Sequence, residues 1–141
     1  MRVRGRLVVT LLALGSVSAS AACGGSLTNP SPSPSGVWGG DHISLTITDA
    51  GSHAEFDCAH GDIPNPWVVD TRSAFSVRGT FVRDRGGPIL AGEPPDSHPA
   101  DYVGSVTATT MVLTIELADT KAVIGTFTLT RGAPGRVVKC L

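Results

Sequence analysis

Apolar and polar residues alternate with a period of two along most of the chain beyond residue 40. In residues 42–48 (HISLTIT), Ile43, Leu45 and Ile47 fall on one face and Ser44, Thr46 and Thr48 on the other. The turn formers Asp49-Ala50-Gly51-Ser52 follow, after which Ala54, Phe56 and Cys58 alternate with Glu55 and Asp57. Phe75, Val77 and Phe81 alternate with Ser76, Arg78 and Thr80. Residues 102–107 and 111–117 form a further pair joined by Ala108-Thr109-Thr110, and residues 123–131 set Val123, Phe127 and Leu129 against Thr126, Thr128 and Thr130. Residues 137–140 are expected to add a short last strand. Alternation of this kind, broken by short turns, predicts an antiparallel meander. No window beyond the leader carries a 3.6-residue stripe, so the expected fold class is all-β.

Three of these strands carry an internal glycine: Gly79 in SVRGTFV, Gly104 in DYVGSV and Gly125 in VIGTFTL. Glycine inside a strand marks a bend or bulge, and repeated bends let a sheet coil and close. A single amphipathic sheet of roughly six to eight strands hides its apolar face by closing on itself, which also removes its edges. The expectation is a small up-and-down β-barrel, with a two-sheet β-sandwich as the alternative.

The N-terminus reads differently. MRVRGR places Arg2, Arg4 and Arg6 before the apolar run LVVTLLALG, and small residues follow up to Ala22. This is the charged, apolar and small-residue order of a secretory signal. The run from residue 7 to 22 holds 16 residues, short of the ~20 that a membrane-spanning helix needs. Ser20-Ala21-Ala22-Cys23 resembles the lipobox of bacterial lipoproteins, with Ser20 where leucine is usual. The resemblance implies cleavage before Cys23 and fatty acyl groups, palmitate among them, on that cysteine. Several acyl chains on one residue make a stable membrane anchor. Residues 23–36, with Pro30, Pro32 and Pro34 alternating with serine, form an extended tether that would reach roughly 30–40 Å.

The remaining 105 residues, 37–141, are enough for one domain. Without the three leader arginines the chain has 8 basic and 12 acidic residues, a net charge of −4 with histidine neutral. That balance excludes the electrostatic footprint of a nucleic-acid binder. With Cys23 acylated, Cys58 and Cys140 are left as an even pair in an exported chain, which reads as a disulfide. The rival reading is a reactive or metal-bound Cys58.

Residues 36–43 (GVWGGDHI), 57–61 (DCAHG) and 139–141 (KCL) resemble a group of uncharacterised bacterial lipoproteins, and the strand pattern is distantly similar to calycin-type barrels such as avidins and lipocalins. The first resemblance implies location and fold and carries no mechanism. The second implies a barrel mouth that accepts a small apolar ligand.

Candidate chemistry is sparse. A metal reading would draw on His42, His60 and one carboxylate, with His98 from a loop, since imidazole and carboxylate suit zinc. No HxH or HxxxH spacing supports it, and His60-Gly61 also fits a strand ending in a turn. A Cys58–histidine nucleophile pair needs a free thiolate, which the disulfide removes. No Gly-x-Ser-x-Gly elbow, P-loop or dinucleotide fingerprint is present. Residues 83–101, rich in proline, are expected to form one long loop, and Trp67, among prolines, to cap the barrel. Trp38, His42, His60, Trp67 and Tyr102 are the candidate ligand-binding residues. The expected function is that of a monomeric, non-catalytic envelope lipoprotein without a cofactor, binding a small apolar ligand or an envelope protein. A purely structural module is the alternative, and a metal protein or hydrolase using His42 and His60 is a second.

Overall fold

The computed structural model describes residues 33–88 and 91–140. The leader (residues 1–22), Cys23, residues 24–32 of the tether, residues 89–90 and Leu141 lie outside the described residues. Eight strands follow the chain in order: β1 (Gly36–Gly40), β2 (Ile43–Thr48), β3 (Gly51–Phe56), β4 (Ala59–Ile63), β5 (Ala74–Arg83), β6 (Asp96–Val106), β7 (Thr110–Leu117) and β8 (Val123–Arg131). Each pairs antiparallel with the next, and β1 meets β8 through Trp38↔Arg131 and Gly39↔Thr130, closing the barrel. The up-and-down barrel expected from the alternation is the fold; the sandwich is not.

The inward positions are the apolar ones. Ile43, Leu45 and Ile47 on β2 and Met111, Leu113, Ile115 and Leu117 on β7 are buried. Aromatic rings fill the two ends. Phe56 packs on Phe81 and Phe127 with ring centroids 5.4 and 5.7 Å apart at one end, while Trp67 lies 5.1 Å from Phe75 at the other. Tyr102, fully buried between them, donates its hydroxyl to the Thr80 carbonyl at 2.7 Å. Gly61 makes this possible, because a Cβ there would collide with the Tyr102 hydroxyl. Gly104 has a related use: a Cβ would strike the Val112 carbonyl, and the Phe75 ring covers the open spot.

The barrel has two unlike ends. The chain enters at the end formed by the start of β1, the β2–β3 turn and the finish of β8. There Pro34 is buried, and the Trp38 indole N–H donates to its carbonyl at 2.7 Å. Arg131 lies 4.2 Å over the Trp38 ring and donates to the carbonyls of Ser35 at 2.5 Å and Ser33 at 2.6 Å. Beyond Arg131 the chain returns as a strap to the opposite end. The Arg136 N–H bonds to the Gly40 carbonyl, its own carbonyl accepts from the His42 N–H, and Val138 N–H bonds to Asp57. The strap finishes in the Cys58–Cys140 disulfide.

Five local expectations need correcting. The strand through Ala54 and Phe56 stops at Phe56, and Asp57-Cys58 turn the chain, with Cys58 at φ 53°. His60-Gly61 is therefore not a turn but the middle of β4. His42 is not on a strand; it sits in the β1–β2 turn at φ 67°. The supposed loop 83–101 shrinks to residues 84–95, because Asp96 through Pro99 pair with Arg83 through Thr80. Pro99 is tolerated because β7 pairing starts only at Ala100, so its missing N–H breaks no ladder bond. Residues 137–140 form no strand, and the strap makes only a single parallel bridge, Asp41↔Arg136.

The disulfide joins residues 82 apart. The chain-entropy account assigns such a closed loop about 4–5 kcal/mol. Replacing both cysteines with serine should lower the urea-unfolding free energy by about that amount while the far-ultraviolet spectrum stays that of a β protein. A loss below about 1 kcal/mol would mean that the strap's hydrogen bonds suffice without the covalent link.

Candidate functional site

The residues expected to meet a ligand do not share a cavity. Trp38 and Tyr102 are core side chains. Trp67, partly buried against the core, donates its indole N–H to Ser52 Oγ at 2.8 Å, which makes it an end cap. Burial also pushes the Tyr102 phenol far above its ordinary range. The bore is occupied by these rings and the aliphatic side chains of the wall. Among the described residues, cavities lie outside it. One of about 380 Å³ opens beneath the β5–β6 connection beside His60 and Asp84. A second, about 260 Å³, is bordered by Ser35 and Trp67. The third is an open groove of about 620 Å³ along the outer wall, lined in part by Thr46, His53, Asp62 and Thr80.

The histidines are on the outside, and each is matched to its own carboxylate. His42 Nδ1 lies 2.5 Å from Asp57, His60 Nδ1 2.8 Å from Asp84, and His98 sits between Asp119 at 2.7 Å and Asp96 at 3.1 Å. His42, His60 and His98 are thus parcelled out to four aspartates rather than gathered on one ion. Among the described residues, no three His, Cys, Asp or Glu side chains are disposed around a common point as metal ligands. Asp57 is held below the usual carboxylate range, first by the Val138 N–H and then by His42. Cys58 is tied up in the disulfide and offers no thiolate.

One histidine was missed by sequence reasoning. His53 on β3 directs Nδ1 to Asp62 at 2.7 Å and Nε2 to Glu55 at 2.8 Å. The register sets His53 opposite Asp62 and Glu55 opposite His60. All four point outward, since Ser52, Ala54 and Phe56 on β3 and Ala59, Gly61 and Ile63 on β4 point in and are buried. The signal was present as two short repeats, His53-x-Glu55 and His60-x-Asp62, that only the turn at Asp57-Cys58 brings face to face. The second omission was Arg131, whose place over Trp38 depends on barrel closure.

No family model matches the chain, and no curated protein and no solved structure matches it either.

His98 has the clearest electrostatic setting. The hydrogen bond to Asp119 raises its affinity for a proton above that of an ordinary histidine, and Asp119 is lowered in turn by the same bond. A histidine raised on folding adds stability that is complete below its unfolded value of about 6.5 and is lost as pH climbs through the folded one. A lowered aspartate adds stability above about 3.9 that is lost in acid. The pair therefore contributes most between about pH 4 and 6.5. His98→Gln should lower Tm more at pH 5.5 than at pH 8.5; an equal loss at both would assign His98 a packing role alone.

Proposed function

We propose that this chain is an exported lipoprotein, held by acylated Cys23 to the bacterial envelope, whose non-catalytic barrel serves as a solid platform for an envelope protein partner. The observation that carries this reading is the filled bore. Phe56, Phe75, Phe81, Trp38 and Tyr102 occupy the space in which a calycin-type barrel would seat an apolar ligand. An eight-stranded barrel is just wide enough for its own side chains, so recognition falls to the outer surface.

The tether meets the barrel at one end, where Ser33 and Ser35 are gripped by Arg131 beside the start of β1. The opposite end is the surface offered to a partner. It carries His42, Asp57, Asp84, Asp96, His98 and Asp119, together with the disulfide and the strap.

Mass spectrometry of protein extracted from its own membrane should find residue 23 as the N-terminus with acyl mass attached. Cys23→Ser should move the protein from the membrane pellet to the soluble fraction. An unmodified Cys23, or a serine variant that stays in the pellet, would overturn the anchoring. Arg131→Gln should leave anchoring intact while exposing residues 33–35 to faster proteolysis. Unchanged cleavage there would mean that Arg131 does not hold the tether to the barrel.

A further inference from the structure

We propose that the strap, residues 132–140, is a redox-gated arm: reduction of the Cys58–Cys140 disulfide by a dithiol frees it from the outer wall while the barrel stays closed. The inference does not depend on how the chain is anchored.

The seat beneath the strap is shaped for it. Gly39 on β1 stands opposite Ser44 on β2, and the strap lies over that pair. A Cβ on Gly39 would collide with the Ala133 carbonyl and with Pro134, and a Cβ on Gly135 would strike the Ile43 carbonyl and Ser44. Glycine at these two places lets backbone rest on backbone. Hydrogen bonds fix the register. Gly132 N–H donates to the Val37 carbonyl at 2.7 Å, Arg136 N–H to the Gly40 carbonyl at 2.9 Å, and His42 N–H to the Arg136 carbonyl at 2.7 Å. The docked strap is therefore a single defined state.

Little besides the disulfide maintains that state. No side chain of residues 132–140 belongs to the hydrophobic core. Val138 is 67% exposed, and the ion pairs Arg136–Asp41 and Lys139–Glu55 lie in solvent, where such pairs contribute little. A segment with few buried apolar contacts opens at low cost, and a terminal one frays unless it is tied down. The barrel does not share this dependence. Its closing pairs, Trp38↔Arg131 and Gly39↔Thr130, are complete before residue 132, and its core ends at Leu129.

The tie is placed for exchange. Cys140 is exposed and Cys58 is half-buried, so a thiolate from solvent reaches Cys140 Sγ first. Its attack forms a mixed disulfide, breaks the Cys58–Cys140 bond and leaves the electron pair on Cys58 Sγ. The second sulfur of the dithiol then displaces Cys140. Two electrons and two protons pass to the pair of cysteines, and the dithiol becomes a disulfide. The freed arm carries Arg136 and Lys139 away from Asp41 and Glu55 and withdraws the Val138 N–H from Asp57. This end of the barrel becomes more acidic as a result.

The test compares the mature chain with its disulfide formed against the same chain reduced with dithiothreitol, alkylated with iodoacetamide and freed of both reagents. Trypsin should cut after Arg136 about 10-fold or more faster in the reduced chain, because the scissile carbonyl is no longer held by His42. Cys58→Ser/Cys140→Ser should match the reduced chain without any reductant. Oxidised glutathione, added to the reduced chain in place of iodoacetamide, should restore resistance. Cleavage after Arg78 and Arg83 on β5 should stay slow in every form, and the near-ultraviolet signal of buried Trp38 should persist. Equal rates at Arg136 in both forms, or a disulfide that resists dithiothreitol until urea is added, would overturn the arm. Early cleavage at Arg78 or Arg83 on reduction would mean that the barrel itself opens, which overturns it equally.

Discussion

Closing eight short strands leaves an interior only as wide as the side chains that line it, and every inward position of this chain is spent on filling it. Leu45, Leu113 and Ile115 supply the wall, while Trp38, Tyr102 and the phenylalanines span the bore. Among the described residues no buried side-chain nitrogen or oxygen lacks a partner. The few buried polar atoms are used to join elements, as Tyr102 joins β6 to the Thr80 carbonyl. A core so arranged gives the molecule a fixed outer wall, and the chemistry of the protein is displaced onto it.

On that wall the charges are sorted by the pleat. Side chains that alternate out from buried neighbours meet their cross-strand partners at fixed spacing, and four histidines are each set against carboxylates. Exposed pairs of this kind contribute little to stability. Their meaning lies in placement. The β3–β4 hairpin holds two imidazoles, each with Nδ1 set against an aspartate.

The alternation of Ile43, Leu45 and Ile47 with Ser44, Thr46 and Thr48 was enough to reveal β2, because one buried face dictates the pattern. The same logic failed at Cys58. An apolar residue in phase with Phe56 continues the alternation, yet the chain reverses there at a positive φ that glycine or asparagine usually supplies. With that turn hidden, residues 59–63 give no strand signal of their own, and His60-Gly61 fits a strand ending in a turn. Likewise Pro99 and His98 look like loop, although a proline on the unpaired side of a strand disturbs nothing. The histidines themselves were visible in the sequence; their partners were not. A shift of one residue in register would set His53 against a different neighbour and send it to the other face. A search for spacing within one strand could not find a grouping made across two.

Closure between β1 and β8 has a kinetic side. Trp38 finds its cover only when Arg131 and the last strand arrive, more than ninety positions later in the chain. Contacts so remote in sequence are slow to form, since a large loop must be ordered before they repay it. Until then a chain made from its N-terminus carries an unsheltered indole and two raw sheet edges. Such a protein depends on being kept apart from its neighbours while it folds, and its vulnerability to aggregation is concentrated in the interval before the eighth strand docks.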